Sequence, residues 1–514
     1  MAQTVVTNTP TAKTVGDPVV AYENMQPVWK RNKAIMNGQG AARAHDRHVD
    51  GSTYKNLLIP FSPFMSQQQY DFYKAEGELP GLVAQYGRTL VSGLLRKRPQ
   101  FTLPSPVEKN EDIRNWIVNS IGAENSSLTS LLDEALWEEM QTSRAWLMVD
   151  FPSTEGLLED EIKLLRPYIV TVRGENVINW RRGTNNQLVK LTLRFYEEQP
   201  TADDLHVELV DTVMDYRIKN GILQVDKYAK KKTSDSIDVV AGRINVSYKA
   251  TNDEWTLVST TYPQSHGESL TYIPARPING NVDVQEPFMQ NLIDREISLY
   301  NKISRRNHLL YGAATYTPYV SSDMDDDKFK DIVGGGLGSW IHIGVDDKIG
   351  VLETPTDALK DMETAIASTI GEMARMGIRM LTPDNAPQES GVALEIKNAA
   401  QTSQLGLLNT KVSNTMEVVL CMALGWHLGI NPKELEKTMS FVLSQDFNPT
   451  PLGADWLRLV TEWYESGKIP RSIWLDICKQ NDILPGDYDD DAGKIEIQSD
   501  DMLNLGPTKI DVSV

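Results

Sequence analysis

Two long stretches of helical periodicity, residues 357–380 and 391–428, are divided by Thr382-Pro-Asp-Asn-Ala-Pro-Gln-Glu-Ser390. In the first, Leu359, Met362, Ile366, Ile370 and Met373 recur three or four residues apart, and in the second Leu405, Leu408, Val412, Met416, Val419, Met422 and Trp426 do the same. Two prolines and no apolar anchor in the intervening stretch end one helix and delay the next. The second half of the chain is therefore committed to long helices joined by a loop. At 514 residues it is also too long for one small core, so two to four substructures are expected.

The first half reads differently. Residues 54–100 carry Tyr70, Tyr73, Leu79, Leu82, Val83, Tyr86, Leu90 and Leu94 at helical spacing, and Pro80-Gly81 is placed to open the second of two helices. Leu128, Leu131, Leu132, Ala135, Leu136 and Met140 predict a helix over 126–144. Residues 145–150, 167–172, 188–196, 207–213 and 255–258 are apolar or β-branched and read as strands separated by Gly, Asn and Asp turns. The lysine-rich 227–246 reads as an exposed loop or hairpin. Helix returns over 286–310, where Phe288, Leu292, Leu299, Ile303 and Leu310 mark one face, and a mixed acidic segment fills 312–354. Residues 431–479 read as helical, with caps at Pro432 and Pro470, and the acidic tail from Pro485 as loose. The Thr-, Asn- and Pro-rich start reads as an arm rather than a signal peptide.

Charge narrows the function. The chain carries 51 Lys and Arg against 70 Asp and Glu, a net charge of −19. A protein that grips DNA needs cations to neutralise phosphates, so this one either ignores nucleic acid or touches it without holding it. No apolar stretch is long enough to span a bilayer; residues 418–430 read as a buried core helix and include His427. Cys421 and Cys478 lack a Cys-x-x-Cys partner and read as buried small hydrophobes in a reducing cytoplasm.

A search for chemistry finds little. Gly467-Lys468 is followed by Ile469 and lacks the first glycine of a P-loop. Gly334-Gly-Gly-Leu-Gly338 runs into the strand-like Ser339-Trp-Ile-His-Ile343 and reads as a turn. His45-Asp-Arg-His-Val-Asp50 holds imidazoles and carboxylates that could ligate zinc, but Arg47 sits among them and no second cluster completes a site, so a solvated cluster is favoured. Asp323, Asp325, Asp326, Asp327 and Asp331 lack the mid-loop glycine and ligand spacing of a calcium loop. No metal, no cofactor and no catalysis are expected.

The order of segments resembles the portal family of tailed bacteriophages. Three stretches carry the likeness: Asp294-Arg-Glu-Ile-Ser-Leu-Tyr-Asn-Lys-Ile-Ser-Arg-Arg-Asn307, similar to a first stem helix; Ser390-Gly-Val-Ala-Leu394, similar to the opening of the helix after a tunnel loop; and Pro80-Gly81-Leu82 with Lys97-Arg98-Pro99 and 144–152, similar to a portal wing. It spans residues 54–428.

What this resemblance implies is an α+β protein of portal architecture: an arm (1–49), an α/β wing (50–285), a first stem helix (286–312), a small α/β clip (313–355), a second stem helix (356–381), a tunnel loop (382–391), a long helix (392–430) and a helical crown with an acidic tail (431–514). It implies a homo-oligomeric ring, usually of twelve subunits, at the portal vertex of a virion assembled in the host cytoplasm. Double-stranded DNA would pass through without sequence specificity. Partners would be the terminase, a head-tail adaptor, the major capsid protein and, where the particle has one, a scaffold protein, with no membrane. The loop residues Thr382, Pro383, Asp384, Asn385, Ala386, Pro387, Gln388, Glu389 and Ser390 would project into the channel. The five aspartates between 323 and 331 would form the clip's docking face. Arg295, Lys302, Arg305 and Arg306 would either pair with acidic neighbours between subunits or face DNA. A non-catalytic head-tail adaptor, or another virion scaffold protein, is the alternative.

Overall fold

The computed structural model describes residues 14–48, 58–59, 66–152, 156, 158–162, 164–184, 186–200, 207–230, 236–240, 243–247, 255–314, 317–321, 348–352, 357–376, 391–443, 454–480 and 484. Helices and antiparallel sheets are interleaved along the chain, an α+β arrangement.

The chain begins with α1 (Val20–Met36) and α2 (Gln39–His48), then α3 (Gln67–Glu76) and α4 (Leu82–Leu94). The described part of the expected arm is thus largely helix. Tyr22, Trp29, Asn32 and Met36 fall on one face of α1 and are buried, with Trp29 wholly enclosed. That stripe is diluted by polar residues and crosses Pro27, which hid the helix in the sequence. In α4, Val83, Tyr86, Leu90, Val91 and Leu94 turn inward, as the spacing predicts.

The central core is built next. β1 (Gln100–Thr102) leads to α5 (Glu111–Ser120), capped by the Asn110 side chain, and to α6 (Leu128–Thr142), capped by Ser127. Ser143 ends α6 in a left-handed conformation, and β2 (Trp146–Asp150) follows. Trp146, Leu147, Met148 and Val149 are all buried, so this strand has no solvent face and reads as an apolar run. The short α7 (Glu159–Ile162) and β3 (Tyr168–Val172) come next; β3 flanks β2 on one side and β13 (Ala275–Pro277) on the other.

A five-stranded antiparallel sheet lies between β3 and β13 in sequence: β4 (Val177–Arg182), β5 (Leu188–Pro200), β6 (Val207–Lys219), β7 (Ile222–Lys230) and β10 (Trp255–Thr261), in the order β10-β7-β6-β5-β4. Asn220-Gly221, both at positive φ, turn β6 into β7. The 227–246 stretch divides between the end of β7 and a hairpin of β8 (Ser236–Val240) and β9 (Arg243–Ser247). A two-residue pair, β11 (Gln264–Ser265) and β12 (Glu268–Ser269), precedes β13.

The second half opens with α8 (Gln290–Ala314). It continues through the antiparallel pair β14 (Thr317–Ser321) and β15 (Lys348–Leu352), α9 (Asp357–Arg375), and the 38-residue α10 (Gly391–Leu428). After it come α11 (Pro432–Leu435), β16 (Ser440–Val442), α12 (Ala454–Glu465) and α13 (Arg471–Gln480), the last two joined by stacked Tyr464 and Trp474.

One expectation for the C-terminal region changes. Residues 440–442 are a strand rather than helix, pairing antiparallel with β1. Leu435, Met439, Phe441 and Leu443 belong to the same hydrophobic core as β2 and α6. Three residues paired with three others 340 positions away leave no local periodicity to read.

Candidate functional site: the α8–α9 helix pair and its seat

Helix α8 buries a continuous stripe of Leu292, Ile293, Glu296, Leu299, Tyr300 and Ser304. A carboxylate in such a stripe needs donors, and Glu296 finds them at the start of α4, where the first amides of a helix lack partners within it. One oxygen accepts from Leu82 N at 2.9 Å and the other from Val83 N at 2.6 Å. Gly81 supplies the left-handed turn (φ 73°) that leads into α4. Burial pushes the Glu296 carboxyl up, and these amides oppose that shift by favouring the anion.

Further ties fix α8 against the N-terminal half of the chain. Asn32 on α1 donates to Gln290 Oε1 (2.9 Å) and to the backbone oxygen of Gln141 (3.2 Å). Arg31 pairs with Asp294 at 3.0 Å. Near the far end, Asn307 donates to the Glu76 carbonyl, His308 Nδ1 lies 3.1 Å from the Glu76 carboxylate, and the His308 ring meets Tyr73 edge-on.

The four basic residues singled out in the sequence all lie on α8, and the structure gives three of them to α9. Arg295 pairs with Glu372 at 3.2 Å, Lys302 donates to Thr369 Oγ1 at 2.5 Å, and Arg306 pairs with Glu363 at 3.6 Å. The partner numbers fall as the α8 numbers rise, so the helices run antiparallel. Arg305 instead shares a hydrogen bond with Tyr73. The acidic neighbours that answer Arg295 and Arg306 are thus on the same chain. Both guanidinium groups stay about a third to a half exposed.

Residues 382–390 and the aspartates 323, 325, 326, 327 and 331 lie outside the described residues, as does Gly334–Gly338. In the His45–Asp50 cluster, Asp46 is committed elsewhere: its oxygens accept from Leu58 N and Ile59 N at 2.8 and 2.9 Å, and His45 Nδ1 sits 3.1 Å away. Among the described residues no group of three or more His, Cys, Asp or Glu is gathered as for a metal ion. No described helix is long and apolar enough to cross a membrane. Sequence reading missed Glu296, whose partners lie more than two hundred residues away.

A family described as "Domain of unknown function (DUF4055)" matches residues 288–427, which run from the start of α8 to the end of α10 but make up well under half of the chain. No curated protein matches. Among solved structures, the chain is similar to one in "Virion of native gene transfer agent (GTA) particle" at 11% identity, covering 77% of this chain and 88% of that one, with a TM-score of 0.33. A chain in "Neck of empty GTA particle computed with C6 symmetry" has 10% identity, 87% and 96% coverage and a TM-score of 0.33. One in "Neck of native GTA particle computed with C12 symmetry" has 12%, 80% and 94%, and again 0.33. Scores of that size do not establish a common fold.

Proposed function

We propose that this chain is a subunit of the head-to-tail connector of a tailed phage or phage-like particle, specifically a portal protein without catalytic activity. The observation that carries the reading is the helix pair: α8 leaves a wing-like core, passes through a small antiparallel strand pair, and returns as α9 bound to it by three polar contacts. A buried carboxylate seats that pair on the wing. The order is that of wing, stem, clip and stem, and α10 follows where the long helix stands in the portal resemblance.

Such a unit suits a channel wall. Antiparallel helices braced along their length and anchored at one end form a stiff strut, and identical struts repeated about an axis enclose a lumen. A heterologous interface that closes on itself generates the ring. In this reading DNA enters and leaves through the lumen, the terminase and then an adaptor dock at the clip, and the loop 382–390 reaches the axis. A net charge of −19 fits a conduit that must not hold its cargo, because every firm phosphate contact would have to break in transit.

Electron micrographs of the purified full-length chain test this. Annular particles with a central hole are expected; compact particles without a hole would replace the channel with the adaptor reading.

A further inference from the structure

The core beside α1 and α6 encloses a cation that no carboxylate touches directly. Arg144, the second residue after α6, is 2% exposed and its side chain makes one hydrogen bond, from Nη1 to the Val282 carbonyl at 3.0 Å. Its guanidinium carbon lies 4.0 Å from the Trp180 ring centre, 5.6 Å from that of Trp146 and 6.0 Å from that of Trp29. Three indoles around one guanidinium give cation–π attraction but accept no proton.

The donors left over are the anomaly. Arg144 Nε and Nη2, Trp29 Nε1 and Trp146 Nε1 are all buried without a hydrogen-bond partner. Buried polar groups are nearly always paired, with protein, water or an ion, so four orphan donors around one side chain need an explanation. The neighbouring carboxylates are engaged elsewhere. Glu139 accepts from Ala145 N and Asn279, while Asp283 takes Trp180 Nε1 and lies 3.3 Å from Arg182. Burial pulls the Arg144 guanidinium down to about 10, against the opposing charges of Asp283, Glu139 and Tyr22.

We propose that this cage binds a small monovalent anion of the halide class, held by Arg144 Nε and Nη2 and by the indole N–H groups of Trp29 and Trp146. A halide only accepts, which matches a set made only of donors, and it neutralises the buried charge. Water is the competing occupant. It brings protons of its own, and the one orphan acceptor on α1 is Asn32 Oδ1, one turn beyond Trp29.

The test uses the full chain in sodium chloride and in sodium gluconate at equal ionic strength. A ligand bound only by the folded state raises the melting midpoint along a saturating curve. Chloride should do so and gluconate should not, and bromide should quench a buried fraction of the tryptophan emission with the same saturation. Trp29→Phe and Trp146→Phe keep each ring and drop its N–H, so both should shrink the chloride shift; Arg144→Met should abolish it. The two Phe variants keep the test decisive if Arg144→Met does not fold. Equal midpoints in the two salts would overturn the proposal in favour of water, and a chloride shift undiminished in both Phe variants would overturn it by placing the ion elsewhere.

Discussion

The Glu296 carboxylate accepts the backbone amide of Val83 at 2.6 Å, joining α8 to the first turn of α4 across 213 positions of sequence. The portal proposal makes α8 a strut, and a strut needs a joint that cannot swivel. Two amide hydrogen bonds to one buried carboxylate supply two points of attachment.

Glu296→Gln retains the shape but turns one acceptor into a donor facing an amide. It should cost about 1–3 kcal/mol, the penalty for stranding a buried polar group. Urea unfolding at neutral pH measures this directly, and an unchanged midpoint would mean that the seat is not rigid.

The polar contacts between α8 and α9 should each be worth far less. Arg295 and Glu372 are 53% and 38% exposed, so solvent screening holds such a pair to ~0.2–1 kcal/mol. Arg295→Glu should be destabilising and should be relieved by adding Glu372→Arg. A double-mutant cycle gives the coupling, which should shrink in high salt.

Trp29 is wholly buried on α1, in a segment that the portal resemblance assigns to an arm. Trp29→Ala should therefore cost ~3–5 kcal/mol by the cavity it leaves. A loss below ~1 kcal/mol in chemical denaturation, the scale of a typical surface or mild substitution, would show that α1 is peripheral to the core.

Glu139 carries the pH dependence. Burial raises its carboxyl to about 7, against opposing hydrogen bonds from Ala145 N and Asn279; Glu138 adds to the rise and Lys411 reduces it. Because the folded value lies above the ordinary one, the folded state keeps its proton while the unfolded chain has lost it. The contribution is full below the ordinary carboxylate range and is lost as pH rises through about 7. A shift of that size corresponds to ~3 kcal/mol. Relative to wild type, Glu139→Gln should gain stability between pH 5 and pH 8 by an amount of that order, read from Tm against pH.

How legible each part was depends on the range of the interaction that fixes it. The strand at Trp146–Asp150 follows from an unbroken apolar run, and the helices α4, α6 and the later part of α10 from apolar spacing that turns inward. By contrast, β4 alternates poorly, with Asn179, Arg181 and Arg182 interrupting Val177 and Ile178. Helix α1 has only a sparse stripe across a proline. The β1–β16 pair and the Glu296 seat depend on contacts hundreds of residues apart, for which one sequence holds no periodic signal. The basic residues of α8 could be found by type and spacing, yet their partners on α9 could be assigned only once the two helices were seen to run antiparallel.

The central claim is that the chain closes into a ring around a channel. Mass photometry of the purified protein, with images from the same sample, tests it most directly. The account predicts particles near twelve times the 57.6 kDa subunit mass, seen end-on as rings with an open centre. A compact oligomer without a hole would contradict it.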